Sequence, residues 1–273
     1  IQNVNGFNFF TKIWTSLRCN LVFCDISILH WDVSMYLHLV PTPKRRNIRK
    51  FVRIWSAPAE TVRHKPGSTT ELECVVMGKP APMVQWLRNG EPVGDYEEDS
   101  NDILSTDPSS VAQLTSKLII TSVASGDVYT CVATAGLKQE TASSTLYNVE
   151  GDVEEEPLTL EKLLRKPLKP IITTFYDNVF QNEHTDLVLP CRLAGNTNAQ
   201  VFWQDNKKNL MYGNSRIKTK ILFFFRQVLP SGDLLIKDLR WEDDMGEFSC
   251  ISKNIYGKDT KSTFLYPVKV IRV

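Results

Sequence analysis

Two halves of the chain carry the same arrangement of cysteine and tryptophan. In each half a tryptophan follows the first cysteine by 12 residues, and the second cysteine follows the first by 57 or 59 residues. The two sets are Cys74, Trp86 and Cys131, and Cys191, Trp203 and Cys250. Self-similarity at a fixed interval is the sign of a repeated structural unit. The chain of 273 residues is therefore predicted to contain two copies of one domain type.

The sequence around these cysteines alternates between apolar and polar residues, as a strand with one buried face requires. The alternating positions are Leu72, Cys74 and Val76; Leu114, Leu118 and Ile120; Leu187, Leu189, Cys191 and Leu193; and Leu234 and Ile236. Turn signals such as Asn89-Gly90 and Ser231-Gly232-Asp233 separate the predicted strands. Many short strands without a long helical pattern predict an all-β fold, and the Cys-Trp-Cys arrangement specifies two tandem immunoglobulin-like β-sandwiches.

Each domain is predicted to contain one disulfide that joins its two sheets, Cys74 with Cys131 and Cys191 with Cys250. Closing a loop of this length contributes about 4 kcal/mol in the chain-entropy account of disulfide stability. Such bonds persist outside the reducing cytosol, so the chain is expected to be secreted and extracellular. The alternative is an intracellular pair of the same domains with four buried free thiols.

Aromatic residues near the cysteines complete the core signature. Trp86 and Trp203 are predicted to pack against the sulfur atoms. Tyr129 lies two residues before the second cysteine of its unit, where a tyrosine hydroxyl would bond the backbone in a tyrosine corner. Phe248 has the same position in the second unit, and that corner is expected to be weaker because phenylalanine has no hydroxyl.

The predicted domains cover residues 52–149 and 168–273, with a linker at 150–167 that begins acidic and becomes amphipathic. Residues 1–51 show no pattern, and we expect them to be disordered or not to belong to the natural mature chain. Cys19 and Cys24 lie there outside the repeat, and pairing with each other is the only role they suggest. The acidic segment from Asp95 to Asp107 is predicted to be an exposed loop, and the apolar run from Ile221 to Phe225 an insertion.

The overall charge argues against nucleic acid as a partner, but one local run of positive residues remains. Lys+Arg (32) and Asp+Glu (31) give a net charge of +1, which argues against a nucleic-acid-binding surface. No stretch of 18 residues is apolar and uncharged enough to predict a membrane span. Six cations without an acid occur within ten residues: Lys44, Arg45, Arg46, Arg49, Lys50 and Arg53. This run fits a site for sulfated glycans or acidic lipids, a cleavage site for a basic-residue protease, or a solvated leader into the first strand.

Catalytic signatures are missing from the sequence. His64 and His184 are the only histidines within the predicted domains, one in each, and both are predicted to lie at the surface. No spacing of metal ligands and no phosphate-binding glycine loop occurs. The chain is therefore not predicted to be an enzyme, and no cofactor or metal is expected.

Several short motifs resemble those of I-set immunoglobulin domains. They are Gly78-Lys79-Pro80-Ala81-Pro82 ahead of Trp86, Leu234-x-Ile236, Asp244-x-Gly246-x-Phe248-x-Cys250 and Asn254-x-x-Gly257. The step from Leu239 to Asp244 is one residue longer than in the usual motif, which leaves the geometry of that turn open. The segment from Ser231 to Asp243, together with Phe264-Leu265-Tyr266-Pro267, is similar to the insect neural/ectodermal development factors (imaginal morphogenesis protein Late-two). The likeness covers about residues 52 to 268.

That family consists of secreted proteins of two immunoglobulin domains, and the resemblance implies binding of insulin-like peptides and antagonism of insulin signalling. Such hormones present an apolar receptor-binding face, so the binding residues are predicted to be apolar or aromatic and to lie on edge strands and the linker. The candidates are Tyr147, Leu160, Leu163, Leu164, Ile171, Phe175 and Tyr176, and each fits an interface between the domains equally well. An edge strand can also pair its free backbone groups with a peptide. The alternative function is a fragment of a cell-adhesion or guidance ectodomain.

Overall fold

A computed structural model describes residues 49–65, 68–93, 107–121, 123–149, 169–194, 198–213 and 225–269. Its regular structure is almost entirely β-strand. Several predictions lie outside these residues, namely those for Cys19, Cys24, the linker at 150–167 and most of the acidic and apolar segments. Asp107 and Phe225 are the described ends of those two segments.

The first domain is a sandwich of two sheets. One sheet contains β1 (Phe51–Ser56), β3 (Thr70–Lys79) and β6 (Val111–Ile120). The other contains β2 (Thr61–His64), β4 (Met83–Arg88), β5 (Glu91–Pro92), β7 (Asp127–Ala135) and β8 (Lys138–Asn148). The strand order of the second sheet is β2-β8-β7-β4-β5, with β2 parallel to β8.

The second domain repeats the plan. Its small sheet has the order β10-β15-β14 and is formed by β10 (Leu187–Leu189), β14 (Arg226–Val228) and β15 (Leu234–Ile236). Its large sheet contains β9 (Ile172–Asn182), β11 (Arg192–Leu193), β12 (Gln200–Gln204), β13 (Leu210–Tyr212), β16 (Gly246–Asn254) and β17 (Gly257–Val268). A single helical turn, α1 (Trp241–Asp244), precedes β16.

Both predicted disulfides are formed, Cys74 with Cys131 and Cys191 with Cys250. Each tryptophan lies beside its disulfide in the core and has a partner for its indole N–H. The Trp86 indole donates to Ser116 Oγ at 3.0 Å, and that of Trp203 donates to the Gly232 carbonyl at 2.8 Å. Tyr129 and Phe248 are buried, as the core signature requires.

The two sandwiches share one sheet, which the sequence did not predict. β6 of the first domain pairs with β9 of the second in antiparallel register, so that nine strands form a continuous sheet. Along its main path the strand order is β1-β3-β6-β9-β17-β16-β12-β13, and β11 pairs with β9 at its side. The described residues of both domains accordingly belong to one compact unit.

One hydrophobic core extends across the shared sheet and includes residues from both domains. Ala112 and Leu114 belong to β6 of the first domain, yet they pack in the same hydrophobic cluster as Tyr176, Val179 and Leu265 of the second. Opposite pairs across the seam explain this, since Leu114 faces Tyr176 and Ala112 faces Val179. A separate cluster around Cys74 and Cys131 fills the rest of the first domain.

The longer step to Asp244 is accommodated by the helical turn α1. Asp244 is buried and accepts hydrogen bonds from the Arg226 guanidinium (Nε at 3.0 Å, Nη2 at 2.5 Å) and from the Arg240 backbone N–H at 2.8 Å. Arg226 is also buried and donates to Asp205 Oδ2 at 2.9 Å. The charges are therefore paired within the core, as buried ions must be.

The prediction that both histidines lie at the surface is wrong for His64. His184 is exposed, whereas His64 is buried at the end of β2, with Nδ1 2.8 Å from Thr70 Oγ1. Burial lowers the pKa of the His64 imidazole, because it disfavours the charged form. Side chains alternate between exposed and partly or fully buried along β2, and His64 occupies a buried position at its end. The residue type alone does not indicate this burial.

Candidate protein-binding site

The outer face of the nine-stranded sheet is one surface that extends over both domains. Residues directly opposite one another in neighbouring strands share a face, and one such row crosses six strands without interruption. It consists of Arg53, Met77, Gln113, Asn178, Phe264 and Glu247. At a spacing of about 4.8 Å between strands, the row is about 24 Å long.

Alternation along β17 decides which of its side chains reach this face. Thr263, Leu265 and Pro267 are buried, so the residues between them point outward. Phe264 is 41% exposed, and Phe180, on the neighbouring strand β9, is 42% exposed. The sheet thus presents large apolar side chains to solvent beside the seam between the domains.

Four aromatic residues form what we call the aromatic patch: Phe180, Trp241, Phe264 and Tyr266. Tyr266 lies opposite Phe180 with the ring centroids 5.5 Å apart, and the Trp241 ring meets Tyr266 edge-on at 4.9 Å. Lys269 Nζ lies 5.6 Å from the centroid of the Trp241 ring. Because these contacts hold the rings of Phe180, Trp241 and Tyr266 before any ligand arrives, a partner would pay little conformational entropy to bury those three.

A polar group lies beside the aromatic patch at the seam. Thr115 Oγ1 of the first domain donates to Asp177 Oδ2 of the second at 2.7 Å. Burial raises the pKa of the Asp177 carboxyl above its ordinary value, although hydrogen bonds from Thr115 and Gln113 oppose this. An apolar centre next to satisfied polar groups is the usual anatomy of a protein-binding surface.

The predicted binding residues do not come together on this face. Phe175 and Tyr176 are buried in the core, because β9 has β6 on one side and β17 on the other and is not an edge strand. Ile171 is partly exposed just before β9. Tyr147 is 48% exposed but belongs to β8, an inner strand of the other sheet, where it lies opposite Arg63. Leu160, Leu163 and Leu164 lie outside the described residues.

None of the four residues of the aromatic patch was predicted as a binding residue. A signal was present in the order Thr263, Phe264, Leu265, Tyr266, where aromatic residues occupy every second position of a strand whose other positions are buried. That pattern is compatible with a two-sided core strand, and only the folded structure shows that Phe264 and the neighbouring Phe180 stay about two-fifths exposed on the outer side.

Neither a metal site nor a membrane-spanning helix occurs in the described ranges. The described residues contain no group of three or more His, Cys, Asp or Glu side chains placed to hold a metal ion. No helix in the described part of the chain is long and apolar enough to cross a membrane.

Comparison with known proteins extends over both domains. Residues 53–147 match the immunoglobulin I-set domain family, and residues 169–254 match an immunoglobulin domain family. The neural/ectodermal development factor IMP-L2 of Drosophila melanogaster is 34% identical over 238 residues, which cover 82% of this chain and 81% of that protein. The zwei Ig domain protein zig-3 of Caenorhabditis elegans is 28% identical over 209 residues, 74% of this chain and 76% of that protein. A crystal structure of IMP-L2, 27% identical, superimposes with a TM-score of 0.63 and covers 82% of this chain and 97% of the other.

Proposed function

Because the chain belongs to the family of two-immunoglobulin-domain proteins that includes Drosophila IMP-L2, we propose that it is a secreted binding protein that sequesters insulin-like peptides and antagonises insulin signalling. The observation that carries the proposal is the aromatic patch on the outer face of the shared sheet. Trp and Tyr are among the residues that contribute most to protein recognition, and the exposed rings of Phe180 and Phe264 add apolar area beside them.

Sequestration needs only that the hormone's receptor-binding face be covered. The apolar face of an insulin-like peptide matches Phe180, Phe264 and Tyr266 in chemistry, and a hormone seated there would be sterically prevented from reaching its receptor. The two disulfides support an extracellular setting, where such hormones act. The immunoglobulin fold and the family also indicate a binding protein and not an enzyme.

Calorimetric titration of the purified chain with insulin-family peptides tests the function. Absence of binding at micromolar concentration, by protein shown to be folded, removes the proposal. Binding to another immunoglobulin domain in its place would favour the alternative, a cell-adhesion or guidance ectodomain.

Substitution of the aromatic patch tests the site separately. A phenylalanine side chain contributes about 200 Å² when fully buried, so the exposed two-fifths of Phe264 offers about 80 Å² to a partner. At about 25 cal/mol per Å², Phe264→Thr should weaken binding by about 2 kcal/mol, or about 30-fold in Kd. Phe180→Thr should have a similar effect, and threonine retains strand propensity.

Tyr147→Thr is the matched control, since it removes an equally exposed aromatic side chain from the other sheet. A loss of affinity in the Tyr147 variant alone would place the hormone on the five-stranded sheet. Equal, unchanged affinities in all three variants would leave the function standing and reject the aromatic patch as its site.

A further inference from the structure

The edge of the shared sheet that belongs to the first domain is cationic. Arg49, Lys50 and Arg53 are all exposed, the first two just before β1 and the third within it. Lys79 lies directly opposite Phe51 on the neighbouring strand β3. Among the described residues, none of these four cations takes part in a salt bridge. We call this group the β1 cationic edge.

Strand geometry places Arg53 and Lys79 on the outer face of the sheet, whereas Arg49 and Lys50 are exposed just before the strand begins. Val52 and Ile54 pack against the core of the first domain, so Phe51 and Arg53 point away from it. Arg53 lies opposite Met77, in the row that continues to Phe264. The five residues from Arg49 to Arg53 span about 13 Å of extended chain, a length over which three positive charges face solvent together.

A few carboxylates near this edge reduce its positive charge without cancelling it. Glu71 and Glu73 on β3 both pair with Lys117, at 2.5 and 3.0 Å. Glu140 accepts a hydrogen bond from the Ile54 backbone N–H at 2.9 Å. Glu140 keeps its negative charge, and Glu71 with Glu73 exceeds Lys117 by one charge, so the four cations still leave a net positive charge among these described residues. Lys44, Arg45 and Arg46 precede this edge in the sequence and lie outside the described residues.

We propose that the β1 cationic edge binds a sulfated glycan. A linear polymer with repeated sulfate groups suits a row of cations on an extended strand, because several charges are contacted at once and each releases counterions. Trp55 is 73% exposed in the same strand and offers an apolar ring on which the C–H face of a sugar can stack. A protein with two structural disulfides functions in the compartment where sulfated glycans occur, whereas nucleic acid and the anionic membrane leaflet are intracellular.

The glycan site and the aromatic patch lie on one face of one sheet. Four strand spacings separate β1 from β17, which is about 19 Å. A chain anchored to a glycan through β1 thus keeps the aromatic patch open to a second ligand. This site does not depend on the hormone, so its test needs no insulin-like peptide.

The experiment measures binding of the full chain to a heparin oligosaccharide by calorimetry between about 0.05 and 0.3 M salt. The variant Arg49→Gln/Lys50→Gln/Arg53→Gln should bind at least about tenfold more weakly near 0.15 M salt. The slope of log affinity against log salt should fall by about two to three, since each lost contact removes somewhat less than one unit. The control Lys237→Gln/Lys253→Gln/Lys258→Gln removes three exposed cations from the second domain and should retain affinity within about threefold. Thermal melting checks that both variants are folded.

Three results would overturn the proposal. The first is no heparin binding by the unsubstituted chain near 0.15 M salt. The second is an equal loss of affinity in both triple variants, which would show diffuse attraction and no site. The third is binding of double-stranded DNA, phosphatidylserine vesicles or desulfated heparin as tight as that of heparin, which would assign the edge to another polyanion or to the sugar alone.

Discussion

Leu114→Ala should destabilise the second domain although Leu114 belongs to the first. The side chain is 2% exposed and lies opposite Tyr176 across the seam between β6 and β9. It packs in the cluster that contains Val179 and Leu265 of the second domain. Removing it therefore opens a cavity that both sandwiches line.

The size of the effect follows from this burial. Replacement of a buried leucine by alanine costs about 2–5 kcal/mol, depending on how far the site can collapse. Hydrogen-bonded strands on both sides of β6 hold the cavity open, so we expect about 3 kcal/mol. In a unit of about 220 residues each kcal/mol lowers Tm by about 2–4 °C, which gives a fall of about 6–12 °C.

Hydrogen exchange locates the damage. Amides of β16 and β17 should exchange faster in Leu114→Ala than in the unsubstituted chain, because their support across the seam is weakened. Leu146→Ala is the control, since Leu146 is also fully buried but packs only in the cluster around Cys74 and Cys131. If Leu114→Ala leaves exchange in β16 and β17 unchanged while exchange in β3 and β7 rises, the two domains are energetically independent and the reasoning from the shared core is refuted.

The remaining predictions concern the disulfide and the buried histidine. Cys191→Ala should lower the free energy of unfolding by about 2–5 kcal/mol, as measured by urea denaturation. An unchanged urea midpoint would contradict the Cys191–Cys250 bond. Since burial lowers the pKa of His64 below its ordinary value of 6.5, the unfolded state binds the proton more readily, and stability should fall as the pH drops through 6.5 towards the folded-state pKa. His64→Gln, which can still bond Thr70, should reduce this fall between pH 7 and pH 5; an identical pH profile in the variant would assign the loss to other groups.

Residue spacing predicted the parts of the fold that depend on local chemistry. In an immunoglobulin domain the disulfide joins the two facing sheets and the tryptophan packs against it, so the recurrence of this spacing predicted both sandwiches and both covalent links. Alternation around Cys74 likewise predicted which side chains are buried, because successive residues of a strand point to opposite faces. His64 shows the limit of this reasoning, since a polar residue at an inward position is buried when a hydrogen-bond partner such as Thr70 is available there.

The residues of the proposed binding site could not be found in the same way. Phe175 and Tyr176 have the composition of a contact surface, and the apolar stretch around them is the same whether β9 is an edge strand or an inner one. Phe180 and Phe264 look like core residues in sequence, and the topology leaves them half-exposed. Whether an aromatic side chain is exposed depends on which residues pack around it. Those residues belong to strands that are distant in the sequence.

Residue spacing and alternation were enough to predict two disulfide-bonded immunoglobulin sandwiches and the buried face of each. The pairing of β6 with β9, which joins the sandwiches into one sheet with a cationic edge and an aromatic patch on the same side, became visible only in the folded chain. The physical reason is that edge pairing is made by backbone N–H and C=O groups, which nearly every residue possesses, so the join leaves little trace in residue type. Side chains encode which face of a strand is buried, whereas the strand that lies beside it depends on the fold of the whole chain.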